Sequence, residues 1–174
     1  MALETFRTAT PADAAAITQL VNSAYRPRAE SCGWTHEAHL IEGNRIEPAQ
    51  VTALIEAPCS TILLGLIQSA AVACVHIKQE QAISHIGMFA VAPHLQGKGV
   101  GSTLLTAAEN HAIRHFNAQQ LCMSVISARE DLIAFYNRRG YKQSGERLDY
   151  PLTALAGRPK TDDLTIEILK KGIA

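Results

Sequence analysis

The sequence predicts an α/β fold of the α+β type, in which helices flank a mixed, mostly antiparallel sheet of about seven strands. Two apolar runs at 60–67 and 71–77, separated by Gln68 and Ser69, predict an antiparallel hairpin. A further apolar run at 82–91 precedes a glycine-rich turn and a helical pattern. Because a helix connects that run to the next strand, the two strands are predicted to be parallel.

The N-terminal elements follow from local patterns. Alternating side chains predict a first strand over 3–8. Thr10 and Pro11 mark the start of a helix whose apolar residues are spaced three and four apart, so one face is buried. A second helix over 47–57 ends before Pro58.

The central strand at 82–91 and the C-terminal elements complete the sheet. Nearly continuous apolar character in the central strand predicts burial on both faces, and Gly87 predicts a bulge or a close ligand approach there. The loop at 148–162 separates the last two strands, which are predicted to be antiparallel. The elements predicted after the glycine-rich turn are a helix at 102–116, a strand at 120–127, a helix at 129–141 and strands at 141–145 and 163–169.

Composition limits the functional classes. The 174 residues predict one domain, spanning 1–174, with a full core. Sixteen basic residues balance sixteen acidic ones, so no basic surface for nucleic acid is expected, and any anion site must be built locally. No signal peptide is expected, and the longest apolar run is too short to span a membrane.

The cysteines predict a reduced environment. Cys32, Cys59, Cys74 and Cys122 form no CxxC pair and no Cys/His pairing. Three of them lie in or just before apolar strand-like runs, where buried thiols are common. This pattern predicts a cytoplasmic protein without a structural metal.

The stretch 96–101 indicates a phosphate site, because it places a glycine-rich turn between a strand and a helix start. A P-loop requires Ser or Thr after its Gly-Lys pair, but Gly99 follows Gly97 and Lys98 here. A dinucleotide fingerprint starting at Gly97 would have Ser102 in its last glycine position, and no acidic residue ends the next strand. Both of these phosphate-binding motifs therefore fit poorly.

A better match is the pattern Gln-x-x-Gly-x-Gly at Gln96, Gly99 and Gly101, directly after a strand that ends Val-x-Pro. This pattern resembles the acyl-CoA loop of the GNAT superfamily of N-acetyltransferases. A second motif lies about thirty residues further on, within the helix predicted at 129–141. There the sequence resembles the family's Asn-x-x-Ala-x-x-x-Tyr-x-x-x-Gly-Phe/Tyr pattern, with matches at Tyr136, Gly140 and Tyr141.

Two positions depart from the second family pattern. Arg129 stands where Asn is usual, and Leu132 stands where Ala is usual. The usual Asn contact to the pantetheine arm is therefore in doubt. Arg129 has two alternatives, a phosphate or a substrate carboxylate, and its role stays open.

The resemblance covers nearly the whole chain and implies a sheet that splays between its fourth and fifth strands. It also implies transfer of an acetyl group from acetyl-CoA (coenzyme A) to a primary amine of a small molecule or peptide, directly within a ternary complex. Domains of this family are often dimers, which makes a homodimer an expectation. The residues expected to bind the cofactor, largely through backbone groups, are Phe89, Ala90, Val91, Gln96, Gly97, Lys98, Gly99, Val100, Gly101, Ser102 and Arg129.

The resemblance further implies that Tyr136 donates a proton to the departing thiolate, although an aromatic residue at helical spacing is often simply part of the core. His85 and Glu37 are candidate general bases, and a water relay is a third alternative. The polar and aromatic segment 25–45 suits a substrate-facing loop, or else a solvated loop anchored by its tryptophan. Candidate acceptor-binding residues are Tyr25, Arg26, Trp34 and Ser127.

Two other functional classes remain open. One is a non-catalytic module that binds acyl-CoA, and the other is a nucleotide-binding α/β domain. Cleavage of the thioester when an amine is added separates the enzyme from the module. Competition by coenzyme A but not by ATP or NAD separates both from the nucleotide-binding domain.

Overall fold

The computed structural model describes residues 3, 5–27, 33–151 and 156–173. Its helices are α1 (Ala14–Tyr25), α2 (Pro48–Glu56), α3 (Val100–Phe116) and α4 (Glu130–Asn137). Its main strands are β1 (Thr5–Thr8), β2 (Ser60–Ile67), β3 (Ala70–Glu80), β4 (Ile83–Val91), β5 (Gln120–Ile126), β6 (Lys142–Asp149) and β7 (Thr165–Gly172).

The described residues form a seven-stranded sheet in the order β1-β2-β3-β4-β5-β7-β6. Every neighbouring pair is antiparallel except β4 and β5, which are parallel. The predicted mixed, mostly antiparallel sheet is therefore confirmed. The hairpin between β2 and β3 turns at Gln68 and Ser69, whose φ angles of 48° and 65° are left-handed, as a tight hairpin turn requires.

The parallel pair β4 and β5 separates along its length. Backbone pairing between these two strands is confined to Ile83–His85 of β4 and Gln120–Cys122 of β5. Beyond these residues, β4 continues to Val91 and β5 continues to Ile126 without pairing to each other. The sheet thus splays between its fourth and fifth strands, as predicted, and it opens a gap in the middle of the sheet.

A bulge interrupts β4 beside this gap. Cys74 pairs with Ala90 and His76 pairs with Gly87, so one residue of β3 faces two residues of β4, Met88 and Phe89. Met88 has a φ of 46°, which is uncommon for a residue with a side chain. The bulge follows Gly87 directly. Burial along β4 alternates between buried and half-buried, so the prediction of burial on both faces was wrong.

The strand and helix limits differ in places from the predicted ones. Helix α3 begins two residues earlier than predicted, at Val100. Strand β6 continues through Leu148 to Asp149, because Gly145 (φ 85°) lies in a bulge rather than at the end of the strand. Two residues at 41–42 also pair with 158–159, which joins two segments that were predicted as loops.

The buried face of α1 packs on the sheet through the predicted residues, including Ile17 and Val21, which are both fully buried. Cys59 is exposed, Cys74 and Cys122 are buried, and all three are free thiols, whereas Cys32 lies outside the described residues. In the part of the chain that the structure describes, no helix is long and apolar enough to cross a membrane.

An ion pair between Arg7 and Asp13 stabilises the segment that leads into α1. The Asp13 carboxylate accepts hydrogen bonds from both terminal nitrogens of Arg7 and from the Thr10 amide, each at 2.8 Å. The bonds from Arg7 hold the pKa of Asp13 well below its ordinary value of 3.8. We expect Asp13→Asn to lower the free energy of unfolding by about 1 kcal/mol near neutral pH, since it removes the exposed ion pair with Arg7 and leaves the Thr10 amide a neutral, weaker acceptor.

The pH dependence of this effect has a definite sign. Because the pKa of Asp13 is lower in the folded state, the stabilisation is fully present above the unfolded value of 3.8 and is lost as the pH falls through the folded value. Urea denaturation at neutral and acidic pH should therefore show a difference between the two proteins that shrinks in acid. A difference independent of pH would contradict the ion-pair account.

Candidate active site

Two pockets, each of about 330 Å³, lie against β4, mostly beyond the residues that pair with β5. The glycine-loop pocket is formed by the end of β4, α4 with the turn after it, the Trp34–Thr35 segment and five residues of the glycine loop, Gln96, Gly97, Gly99, Gly101 and Ser102. The second pocket is formed by β4, β5, the region around Glu37 and Arg45, and the segment around Tyr150. Residues that line both pockets are Tyr25, Phe89, Leu132 and Tyr136.

The glycine loop offers unpaired backbone donors to its pocket. Thr103 is the first residue of α3 whose amide bonds back, to the Gly99 carbonyl at 3.1 Å, so the amides before it in the helix have no helical acceptor. Gly97 and Gly99 have φ angles of 73° and 84°, and no atom lies within 4 Å of where their Cβ atoms would be. The loop is therefore an open concave surface of amide donors at a helix N-terminus, which suits an anion.

Arg139 supplies a cation to the same pocket, and sequence reasoning missed it. The guanidinium lies over the Phe135 ring, 3.5 Å from its centroid, and donates hydrogen bonds to the Phe135 carbonyl and to the Ser102 hydroxyl. In the sequence, Arg139 reads as a charge that complements the C-terminus of α4. Arg139 lies in the turn that follows α4, and its contact with Ser102, 37 residues away, has no signal in the local sequence.

The Gln96 side chain ties the Trp34–Thr35 segment to β4. Its Nε2 donates to the Val91 carbonyl at 3.0 Å, and its Oε1 accepts from the Thr35 amide at 3.4 Å. A Cβ on Gly33, whose φ angle is 72°, would lie 2.2 Å from Gln96 Oε1, so a side chain at this position would displace the Gln96 amide. Trp34 then packs against Phe135 in the glycine-loop pocket, with the ring centroids 6.0 Å apart. The predicted acceptor residue Trp34 thus lies on the side of the glycine loop.

Tyr136 stands where the two pockets meet. The residue is 4% exposed, and its ring packs edge-on against Phe89, Phe135 and Tyr141. Burial raises the pKa of its hydroxyl above the ordinary value of 10.0, so the group keeps its proton at neutral pH. The hydroxyls of Tyr25 and Tyr141 are bonded to Phe89 and Glu109. No such bond is present for Tyr136 among the described residues.

Tyr25 shapes the bulge beside Tyr136. Its hydroxyl donates to the Phe89 carbonyl at 3.1 Å, and burial raises its pKa to about 12. The Phe89 carbonyl therefore already has a donor within the protein. This bond links α1 to the central strand at the point where both pockets begin.

A buried ion pair supports the second pocket. Arg26 Nη1 lies 2.6 Å from Glu37 Oε1, with side-chain exposures of 6% and 7%. The Arg26 guanidinium also donates to the carbonyls of Ile41 and Ala156, and it lines neither pocket. Glu37 does line the second pocket. Arg26 therefore connects the 25–45 segment to the 156–159 region, and its predicted role in acceptor binding stays a prediction.

His85 also lines the second pocket. Its side chain is 43% exposed and its Nε2 lies 3.6 Å from Glu80 Oε2. The ring is thus open to the pocket and to solvent, unlike a histidine enclosed in the core. Of the two candidate bases, His85 is the more accessible to an acceptor amine, because Glu37 is held by Arg26.

Arg129 lines the second pocket and is absent from the lining of the glycine-loop pocket. Its side chain is 4% exposed, and Nη1 donates to the Thr35 carbonyl at 3.1 Å. Ser127, close by in the sequence, lies outside both linings, and its hydroxyl accepts a bond of 2.8 Å from Thr165. Of the two alternatives for Arg129, its position favours contact with a substrate over contact with the phosphates.

Comparison with known proteins agrees with this geometry. A family model described as the acetyltransferase (GNAT) family matches residues 16–141. The chain belongs to the GNAT acetyltransferase family. No curated protein matches the chain in sequence.

Solved GNAT structures share the fold at low sequence identity. The ribosomal-protein-S18-alanine N-acetyltransferase from Escherichia coli has a TM-score of 0.73 at 14% identity, covering 98% of this chain and 94% of its own. The ribosomal-protein-alanine N-acetyltransferase from Brucella melitensis has a TM-score of 0.70 at 18% identity, covering 98% and 100%. A variant of the spermidine N-acetyltransferase from Vibrio cholerae has a TM-score of 0.67 at 16% identity, covering 95% and 91%.

The GNAT family generally uses acetyl-CoA, and the glycine-loop pocket fits that molecule. The open amide surface at Gly97 and Gly99 and the Arg139 guanidinium suit its phosphates. Other residues with a predicted cofactor role lie off the pocket lining. Ala90 and Val100 are buried at 1% and 2% exposure, and Lys98 is exposed. Among the described residues, no group of three or more His, Cys, Asp or Glu could hold a metal ion.

Proposed function

We propose that the protein transfers an acetyl group from acetyl-CoA to the primary amine of a small molecule or peptide, directly within a ternary complex. One observation carries the proposal: a pocket that suits an anion and a second pocket meet at a buried tyrosine whose hydroxyl has no hydrogen-bond partner among the described residues. One pocket suits the phosphates and arm of acetyl-CoA, and the other is open for the amine. Tyr136 faces both.

The proposed cofactor contacts come from residues that line the glycine-loop pocket. The amides of Gly97, Gly101 and Ser102 and the guanidinium of Arg139 would hold the phosphates. The edge of β4 at Phe89 and Val91, left without a partner strand by the splay, would lie along the arm. Acetyl-CoA supplies an activated acetyl group: the amine forms the new C–N bond, the C–S bond breaks, and the proton lost by the amine balances the departing thiolate.

Tyr136 is the proposed proton donor in this site. Its raised pKa keeps the hydroxyl protonated at neutral pH, ready to donate to a thiolate, and the tyrosinate that remains would regain a proton through water as the proton from the amine is released. The same desolvation raises the proton affinity of a thiolate in this pocket, which favours the transfer. General acid catalysis of this kind typically accelerates a reaction by about 10²–10⁴-fold.

The proton on the amine leaves through the second pocket. His85 is the proposed acceptor of that proton, directly or through water, because its ring lines the pocket and is 43% exposed. Glu37 lies deeper and is bonded to Arg26. Its proposed role is to maintain the shape of the second pocket.

Calorimetric titration with acetyl-CoA, with ATP as the control, tests the proposal. We expect acetyl-CoA to bind in the micromolar range or tighter and ATP to bind far more weakly, because the pocket combines a phosphate surface with an apolar strand edge. An amine must then accelerate thioester cleavage. Equal binding of ATP would contradict the assignment of the pocket, whereas binding without amine-dependent cleavage would indicate a non-catalytic acyl-CoA module.

A further inference from the structure

Arg129 is a buried cation with a free donor. Its Nη1 bonds to the Thr35 carbonyl, and its Nε lies 3.5 Å from an Asp131 carboxylate that is 50% exposed. Its Nη2 is buried and has no hydrogen-bond partner among the described residues. A buried guanidinium nitrogen is normally bonded, so an unpaired one in a pocket wall points to a missing acceptor.

The other charges around the second pocket do not supply that acceptor. Glu37 is held by Arg26 at 2.6 Å. Lys78 forms an ion pair with Glu80, also at 2.6 Å, and the Glu80 carboxylate lies 3.6 Å from His85 as well.

The remaining basic groups of the pocket also have no acidic partner in the described part of the chain. The guanidinium of Arg45 lies 5.4 Å from the centre of the Tyr25 ring, and His76 bonds to the Ser60 hydroxyl at 2.8 Å. Among the described residues that line the pocket, Arg129 and Arg45 thus remain as cations without a carboxylate in an ion pair with them.

We propose that the acceptor is a free amino acid, and that Arg129 binds its carboxylate; this rests on the proposed acetyl transfer. A guanidinium presents donors in a planar fork that matches a carboxylate, and a buried one discriminates strongly in favour of that group. In an α-amino acid one carbon separates the amine from the carboxylate. Both Arg129 and Tyr136 line the second pocket, so a carboxylate on Arg129 keeps the amine close to the reacting centre.

Other amines fit this pocket less well. A polyamine carries only positive charge and would meet Arg129 and Arg45 without a carboxylate to hold it. A peptide N-terminus has a neutral amide at the position of the carboxylate, which gives Arg129 a weaker acceptor. Both therefore serve as comparison substrates in the test.

The first experiment uses the unaltered protein with acetyl-CoA and three sets of amines: the common L-amino acids, their C-terminal amides, and spermidine. We expect at least one amino acid to be acetylated with a kcat/KM at least about tenfold above that of its amide and of spermidine, as the loss of one charged hydrogen bond implies. Amides or spermidine used equally well would overturn the inference. Acetylation of none of the amino acids would also overturn it.

The second experiment separates binding by Arg129 from a structural role. We expect Arg129→Met to raise the KM for the amino acid about 10–100-fold and to leave the KM for acetyl-CoA near its original value. The KM for the C-terminal amide should change far less than that for the amino acid. Arg129→Lys should recover part of the loss, because it restores the charge without the fork. Arg138→Met, an exposed arginine just after α4, is the matched control and should change neither KM.

These measurements also distinguish failure of the proposed acetyl transfer from failure of the proposed amino-acid acceptor. If acetyl-CoA does not bind, acetyl transfer itself fails. If acetyl-CoA binds and amides or spermidine are acetylated, transfer stands and the amino-acid acceptor fails. If Arg129→Met weakens the amide and the amino acid equally, the arginine only supports the fold around Thr35.

Discussion

Replacing Tyr136 by Phe should lower kcat at least about tenfold, toward the 10²–10⁴-fold range of general acid catalysis. The change removes a single hydroxyl that has no bond within the described residues, so little stability is lost with it. The ring contacts with Phe89, Phe135 and Tyr141 remain available to phenylalanine. Acetyl-CoA affinity, measured by calorimetry, should stay within about twofold, since the phosphate contacts lie at the glycine loop.

A matched control for this variant is Tyr141→Phe. That tyrosine is equally buried, at 1% exposure, but its hydroxyl donates to Glu109 at 2.9 Å and it lines neither pocket. We expect Tyr141→Phe to lose stability, by about 1.5–3 kcal/mol for a hydrogen bond to a charged group, while its kcat stays near that of the unaltered protein. Unchanged turnover in Tyr136→Phe would remove the tyrosine from the mechanism.

The raised pKa of Tyr136 also bears on the pH profile. Because burial moves the pKa above 10.0, the hydroxyl remains protonated through the neutral and mildly alkaline range. The rate should therefore not fall between about pH 7 and pH 9 through ionisation of this group. A rise in this range would instead report deprotonation of the acceptor amine.

Replacing Gly101 by Val should weaken acetyl-CoA binding at least about 100-fold, which corresponds to about 2.7 kcal/mol. A Cβ at this position would lie 3.7 Å from Phe89 and 3.9 Å from both Phe135 and Val91, which is ordinary contact. The two additional methyl groups of valine therefore extend into the glycine-loop pocket. Because Gly101 lies in the first turn of α3 rather than at a left-handed position, the backbone accepts a side chain without strain.

This prediction distinguishes a blocked site from an unfolded protein. Thr106→Val places valine at an exposed position on the same helix and away from the pocket, so it should bind acetyl-CoA normally. Thermal unfolding of both variants should remain close to that of the unaltered protein. Normal acetyl-CoA affinity in Gly101→Val would show that the cofactor does not use this pocket.

Local sequence determined much of the architecture. The hairpin at Gln68 and Ser69, the parallel strand after the glycine-loop helix and the end of α4 near Gly140 all depend on near neighbours in the chain. Turn preference, hydrophobic period and helix capping act over a few residues, so they can be read from the sequence. The end of β6 could not be predicted in this way. A glycine that ends a strand and a glycine that forms a bulge, as Gly145 does, have the same local sequence pattern.

The same distinction applies to the site. The glycine loop and Tyr136 belong to motifs with fixed spacing, and their chemistry follows from residues close together in sequence. The partners of Arg26, Arg129 and Arg139 lie 11, 94 and 37 residues away. No period or spacing within one element predicts such contacts, which depend on how the loops pack over the sheet.

The sequence by itself therefore determined the family and the fold, and it predicted a phosphate-binding loop beside a candidate proton donor. Only the tertiary structure decided which pocket each arginine serves: Arg139 faces the glycine loop, Arg26 is enclosed in an ion pair, and Arg129 lies in the second pocket. The physical reason is that a long charged side chain can reach in several directions from the same backbone position. Its final direction is set by burial and by partners that the fold brings together from distant parts of the chain.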